Sequence, residues 1–429
     1  MAKKTEDIKL DIPVKKKSKG KKALKVIGSV LAVIVLLVAV AAAVSAVGNK
    51  ANYTLSRSFA KVEYDTQLVP EKDKDGDWCF TTDKDFKVLQ LTDVHLGGGF
   101  MSLSKDSSAL NAVATIVTTE KPDLVIVTGD VAYPVPFQAG TFNNKVGARM
   151  FAQLMDTLGV YWTLGFGNHD TEAYSYFNRA AISEFYETSG YRYCLFRSGP
   201  DNVDGYGNQV IKILDSKGNI TQALFVFDSH SYTDGDYFGI QWKYDNIHPN
   251  QVEWYKNRVN NLTEENGGKL VKSLAFFHIP LVEFEDAWNE FKENGYQDTG
   301  DVKYKFGMIG ETGKAIYCGI GEDELFETML ELGSTKAIFC GHDHFNNTTV
   351  NYKGIDLSYG YSIDYLAYIG INKKGSQRGA TVIDLAPDGS YEINKYNLYS
   401  DNRYELPAGF ADNIAMQFEN VTYQYVEEK

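Results

Sequence analysis

The chain has 429 residues, 44% apolar and 23% charged, a balance that excludes a disordered chain or a many-span membrane protein and leaves ample material for a large core. Its four cysteines (Cys79, Cys194, Cys318 and Cys340) include no Cys-x-x-Cys pair, which argues against a disulfide scaffold and a thiolate zinc site. The net charge of −13 is asymmetric: residues 1–25 hold ten lysines against three acids, the remainder stands at −20, and a broad basic face for nucleic acid is excluded.

Taken in chain order, the lysine-rich start gives way to an apolar run from Val26 to Val47, broken only by Gly28, Ser29 and Ser45. As a helix, this run measures about 33 Å, enough to cross a bilayer. Lysines before it and an acidic body after it fit an amino terminus in the cytoplasm and a body outside the membrane, with the lysines also able to touch anionic lipid. The expected organisation is a basic cytoplasmic tail (1–25), a single-pass anchor in the cell membrane (26–47), a stalk and edge hairpin (48–85), a catalytic body (86–397) and a tail (398–429). A cleaved signal peptide ending near Val44-Ser45-Ala46, and hence a secreted protein, is the alternative.

From Phe86, short apolar runs alternate with amphipathic patterns. Strands are predicted at Lys87–Leu91, Leu124–Thr128, Val160–Leu164, Ser273–Phe277 and Ala337–Cys340. Helices are predicted at Ser108–Thr119, Ala148–Leu158, Pro249 to about Leu262, and Asp323–Leu332 before Gly333. Val210–Leu214 and Ala223–Phe227 flank a Ser216-Lys217-Gly218-Asn219 turn and read as a hairpin, and Asn351–Tyr396 reads as β meanders. This alternation defines an α/β layered fold.

The polar residues fall where such a fold uses them. Asp93 and His95 end the first strand, Asp130 the second, and Asn168, His169 and Asp170 follow the third; His278 ends the strand at 277, and His342 and His344 follow Cys340. Five of the seven histidines sit at these strand ends, the rim at which open α/β sheets bind ligands. Taken singly, Asp-x-His arises by chance, Gly129-Asp130 is an ordinary turn, and His278 is an ordinary core histidine. Gly167-Asn168-His169-Asp170 and Gly341-His342-Asp343-His344 are far rarer, and the ordered set points to a metal site. Carboxylate oxygen and neutral imidazole suit manganese, zinc or iron, and a shared carboxylate suits two ions that activate a water and clamp a phosphoryl group. A small phosphorylated substrate could approach this acidic body where metal ions reverse the local sign. Gly-x-Ser-x-Gly, Walker and dinucleotide motifs are absent from the sequence.

The series Asp-x-His, Gly-Asp, Gly-Asn-His-Asp, His, Gly-His-x-His resembles the calcineurin-like metallophosphoesterase superfamily over about Phe86–Phe345, and Phe276-Phe277-His278-Ile279-Pro280-Leu281 resembles its purple-acid-phosphatase-like branch. The resemblance implies a four-layer α/β/β/α sandwich and two divalent metal ions. Asp93, His95, Asp130 and His344 would hold the first, and Asp130, Asn168, His278 and His342 the second, with Asp130 as the bridge. It further implies that His169 faces the leaving group as general acid, with Asp170 orienting its ring. His95 stands where purple acid phosphatases have glycine, so Tyr133 in Gly129-Asp130-Val131-Ala132-Tyr133 is expected as a pocket wall, leaving open the role of an iron ligand. His230 and Tyr232 fall on the same rim, and His230 and Tyr133 are the candidate substrate contacts. His248, before Pro249, reads as a helix cap, and Arg378 resembles an arginine of the same branch without a role assigned to it. The expected activity is hydrolysis of phosphomonoesters; a phosphodiesterase or nucleotide pyrophosphohydrolase, and a non-catalytic metal-stabilised binding domain, are the alternatives.

Overall fold

The computed structural model describes residues 19–236, 238–321, 323–368, 378–399 and 403–405. Most of the basic tail and most of the C-terminal tail expected from the sequence lie outside these residues.

The apolar run is one helix, α1 (Lys19–Ser56), long and apolar enough to cross a membrane by length and composition. It continues well past Val47, and its last turns lie on the body where a stalk was expected. Asn49 donates to the carbonyl of Gly98 (2.8 Å) and Asn52 to that of Leu103 (2.9 Å), while Gly48 packs so closely on Leu103 that a Cβ there would fall 2.2 Å from it. An edge hairpin follows, β1 (Glu71–Lys72) and β2 (Trp78–Thr81).

The first half of the body alternates β3 (Phe86–Leu91), α2 (Leu103–Glu120), β4 (Leu124–Thr128), the short α3 (Pro136–Ala139), α4 (Asn144–Leu158), β5 (Trp162–Gly165) and α5 (Arg179–Thr188). The hairpin β6 (Gln209–Leu214) and β7 (Ile220–Val226) comes next. After it run α6 (Pro249–Glu265), β8 (Ser273–Phe276), α7 (Val282–Glu293), β9 (Val302–Phe306), α8 (Leu325–Leu332) and β10 (Thr335–Cys340). The chain closes with β11 (Thr349–Tyr352), β12 (Ile355–Tyr359), β13 (Gly379–Leu385) and β14 (Tyr391–Asn397). The amphipathic α7 and the exposed edge strand β9 lie in a stretch with no element expected from the sequence.

The strands form two sheets, in the orders β1-β2-β6-β7-β8-β10-β12-β11-β9 and β14-β13-β3-β4-β5. In the smaller sheet β3, β4 and β5 are parallel, as their near-continuous apolar runs require. The expected meanders divide: β11 and β12 pair antiparallel in the large sheet, whereas β13 crosses to pair antiparallel with β3.

Alternation along the large sheet shows the layering. Leu224, Val226, Leu274, Phe276, Ala337 and Phe339 join one core with the small sheet, α2 and α4. Their neighbours Ala223, Phe225, Ala275, Phe277, Ile338 and Cys340 join a second core with α6, α7 and α8. Successive strand residues point to opposite faces, so these two sets define a helix, sheet, sheet, helix sandwich. All four cysteines are free thiols.

Candidate metal centre

The ends of β3, β4, β5, β8 and β10 converge at the seam between the two sheets. Asp93, His95, Asp130 and His342 adopt positive φ of 51°, 53°, 54° and 74°, a left-handed backbone that is costly for these residues and gathers at functional sites. Glycines permit the close approach. A Cβ on Gly167 would fall 2.1 Å from the Asp130 carboxylate, and one on Gly129, at φ 85°, 2.5 Å from Nδ1 of His278.

Asp93, His95, Asp130 and His344 are buried, and one ligand atom from each lies within 4.8 Å of the others. Oδ2 of Asp130 lies 3.2 Å from Nε2 of His95 and 3.2 Å from Nε2 of His278. One carboxylate oxygen therefore stands between the first expected ligand group and the second. Asn168 turns Oδ1 to Nε2 of His278 (3.1 Å) and Nδ1 of His342 (3.0 Å). Its amide is oriented by Tyr232, whose hydroxyl accepts from Nδ2 (2.9 Å) and donates to Glu172 (3.3 Å).

The donor set fits metal ions. Nδ1 of His278 donates to the carbonyl of Thr128 (2.7 Å), which leaves Nε2 as a lone pair aimed at two further acceptors, Asp130 Oδ2 and Asn168 Oδ1. Oδ1 of Asp93 is buried without a hydrogen bond and faces Nε2 of His344 at 3.3 Å. Acceptors converging on acceptors call for a cation. Without an ion a proton takes that place: burial alone would lower His278, yet the charge and hydrogen bond of Asp130 push it up to about 9, so an ion would bind by displacing that proton. Burial likewise works to raise the Asp130 carboxyl, but the adjacent His278 and His169 hold it well below the usual carboxylate range.

Asp170 is not the partner of the His169 ring that the resemblance implied. Its carboxylate accepts from the backbone N–H groups of Asp130 (3.0 Å), Ala132 (2.8 Å) and Gly167 (2.9 Å), tying the second and third motifs together. Burial and the Asp130 charge push it up to about 6. The ring is met by Glu172, with Nδ1 of His169 2.6 Å from Oε1. Three residues beyond His169 in a short 3-10 turn, Glu172 is in reach, whereas the adjacent Asp170 points the other way.

Tyr133 is a wall, its ring packed 4.6 Å from that of His95 and 4.7 Å from that of His169. Its hydroxyl donates to Gln138 (2.7 Å), away from the metal ligands. His230 is turned from the centre: Nε2 lies 2.9 Å from Gln251 and the ring stacks on His248. The rim residue that reaches a ligand is Tyr232. His248 caps α6 as expected.

Two residues, Asp364 and Arg179, were not foreseen, and Arg378 was expected without a role. Asp364 accepts from Nδ1 of His344 at Oδ2 (3.2 Å) and sets Oδ1 at ion-pair distance, 3.2 Å, from Nδ1 of His95, behind two residues of the first group. Arg378 donates to the carbonyls of Ile363 (3.1 Å) and Asp364 (2.8 Å), holding that loop. Arg179 pairs with Asp228 and donates to the carbonyl of Gly167 (2.8 Å), fixing the loop that presents Asn168.

A buried carboxylate set between two histidine groups at the seam of an α/β/β/α sandwich defines a metal-dependent phosphoesterase fold. Residues 86–346 match the model of the calcineurin-like phosphoesterase family, and the chain belongs to that family. It is similar to "Probable inactive purple acid phosphatase 28" of Arabidopsis thaliana, 26% identical over 67% of this chain and 73% of that one. It is also similar to "Probable inactive purple acid phosphatase 29" of the same plant (26%, covering 71% and 77%) and to phosphatase DCR2 of Saccharomyces cerevisiae (29%, covering 69% and 52%). Among solved structures, a dimetal phosphatase from Danio rerio aligns over 73% of this chain and 96% of its own, at 11% identity and a TM-score of 0.46.

Proposed function

We propose that this chain is an active phosphomonoesterase with a dinuclear metal centre, held in the cell membrane by α1 with its body on the exported side. The observation that carries the activity is Oδ2 of Asp130, equidistant from Nε2 of His95 and Nε2 of His278. The word "inactive" in the names of two relatives is set against a complete donor set in this chain: Asp93, His95, Asp130, Asn168, His278, His342 and His344 all meet at one place.

When bound, two divalent ions would supply a hydroxide at neutral pH and neutralise phosphoryl oxygens. The protein's own groups do the rest. Asp93, His95, Asp130 and His344 would hold one ion, and Asp130, Asn168, His278 and His342 the other. Asp364 fixes the rings of His95 and His344, and Tyr232 the amide of Asn168. His169, braced at Nδ1 by Glu172 and partly open to solvent, would hold a proton at Nε2 for the departing alkoxide. Tyr133 closes one side and gives up its hydroxyl to Gln138, so manganese, zinc or ferrous iron suits the centre better than a tyrosinate-bound ferric ion.

The test is a panel of phosphomonoesters, nucleotides and diesters assayed on the full-length chain in detergent, loaded in turn with manganese, zinc and iron. Monoesters should be hydrolysed fastest. A preference for diesters or pyrophosphates would overturn the substrate class, and no turnover with any metal would overturn the activity. Protease applied to intact cells should release the body; its protection would reverse the topology.

A further inference from the structure

Two histidines stand outside the phosphoesterase centre, stacked face to face with ring centroids 3.9 Å apart: His230, after β7, and His248, before α6. One ring nitrogen of each lies with a carboxylate oxygen of Asp245 inside a cluster whose atoms are all within 4.8 Å of one another. The hydrogen bonds around them determine which nitrogens remain for a ligand.

The side chain of Gln251 is buried, and its Nε2 donates to Asn208 Oδ1 (2.9 Å) and to the carbonyl of Asp228 (2.7 Å). With its amide so oriented, Oε1 can only accept, from the backbone N–H of His248 (2.8 Å) and from Nε2 of His230 (2.9 Å). His230 therefore carries its proton on Nε2 and has the Nδ1 lone pair to give. Nδ1 of His248 lies 2.8 Å from Oδ2 of Asp204, the pairing by which a carboxylate orients a metal-ligating imidazole, and Nε2 lies 3.4 Å from Oδ2 of Asp245. Ligand atoms on a tetrahedral zinc ion are separated by about 3.3 Å, given bonds of about 2.0–2.1 Å. The His248–Asp245 pair already has that spacing.

We propose that His230, His248 and Asp245 bind a third divalent ion, of the zinc type, a small turn of the stacked rings bringing their in-plane lone pairs onto it, with Asp204 orienting His248 and water completing the shell. Burial works to lower His230, whereas Asp204 and Asp245 raise His248 against its burial, so the ion would bind by displacing a proton from His248. Partial exposure of His248 and Asp245 gives the ion a route in and a place for its water.

The ion closes the base of a loop that covers the phosphoesterase centre. Between the ligands, Asp245 donates its N–H to the carbonyl of Ser231 (3.2 Å) and Thr233 donates to that of Lys243 (2.9 Å), so the chain runs out and back. Tyr232, two residues after His230, orients Asn168; Tyr244, next to Asp245, lays its ring 4.2 Å from that of His342. A clamp at 230, 245 and 248 thus sets two tyrosines against two ligands of the second metal group.

The experiment is metal stoichiometry, read by elemental analysis of the full-length chain in detergent after saturation with zinc and removal of excess. The wild type should hold three equivalents. Asp130→Ala should keep one, and a His230→Asn/His248→Asn double variant should keep two. Asp204→Asn, which leaves every ligand in place, should weaken the third equivalent about 10–100-fold in a chelator competition. Loss of that last ion when His230→Asn and His248→Asn are added to Asp130→Ala supports the third site whether or not the chain proves to be a phosphatase. Two equivalents in the wild type, or none in Asp130→Ala, would overturn the proposal and leave the cluster as a proton-held ion pair between Asp204, His248 and Asp245.

Discussion

Nδ1 of His169 lies 2.6 Å from Oε1 of Glu172, and the same carboxylate oxygen receives the hydroxyl proton of Tyr232 at 3.3 Å. The acid candidate and the amide ligand Asn168 are thereby braced by one side chain. His169→Ala should leave the metal content unchanged and lower turnover by roughly 10²–10⁴-fold on an alkyl phosphate. Glu172→Gln should cost about 10–100-fold. Both losses should shrink for a nitrophenyl ester, whose leaving group departs without a proton. Equal losses for the two esters, measured beside metal content on the same samples, would make His169 a positioning residue.

Asp130 serves both ligand groups, so Asp130→Ala should abolish hydrolysis and empty the dinuclear centre while the sheets remain. Retention of a tenth of wild-type turnover under metal-replete conditions would contradict the shared-ligand reading. Chelation of the wild type should lower its melting temperature, because ions bound only to the folded state stabilise it by mass action and their removal leaves acceptors facing one another. Calorimetry with and without chelator reads this directly.

Asp364 touches no ion in this reading and acts through two imidazoles. Asp364→Asn should weaken metal binding by about 10–100-fold, and saturating metal should restore most of the turnover. Titration of activity against free manganese separates the two effects; a loss that excess metal cannot rescue would assign Asp364 a more direct part.

The end of α1 belongs to the body. Removal of residues 1–47 should yield a soluble protein with its activity intact, because Asn49 and Asn52 keep their bonds to the loop after β3 and to the first residue of α2. Removal of residues 1–57 should destabilise the body by about 2–4 kcal/mol, from the lost hydrogen bonds of Asn49, Asn52, Tyr53 and Arg57 and the uncovering of Leu103. Denaturant midpoints of the two truncations give the comparison.

The residues that converge at the seam were legible because each follows a strand, and strand ends in layered α/β folds share one rim. The parallel strands were legible for a related reason: a run such as Leu124–Thr128 is apolar on both faces and admits few other readings. Asp364 and Arg179 were not, since a single charge in a loop or at a helix start has no periodicity to betray it. Glu172 did leave a signal, its spacing of three from His169, but the family resemblance placed that part on the more conspicuous Asp170. The helix end was misread for another reason: hydropathy stops at Val47, while Asn49, Asn52 and Tyr53 continue the helical spacing with polar groups that grip the body.

β3, the first strand of the phosphoesterase-family body, has β4 on one side and β13 on the other, and β13 begins only at Gly379. On a chain synthesised from its amino terminus, the strand that carries Asp93 keeps an open edge until almost everything else has been made, and the ligand set stays incomplete until His344 emerges. Folding of this body is therefore limited by contacts that are distant in sequence, which form slowly and leave strand edges exposed in the interval. The site at the sheet seam thus arrives late in the life of each molecule, as a property of the finished sandwich that no early fragment can possess.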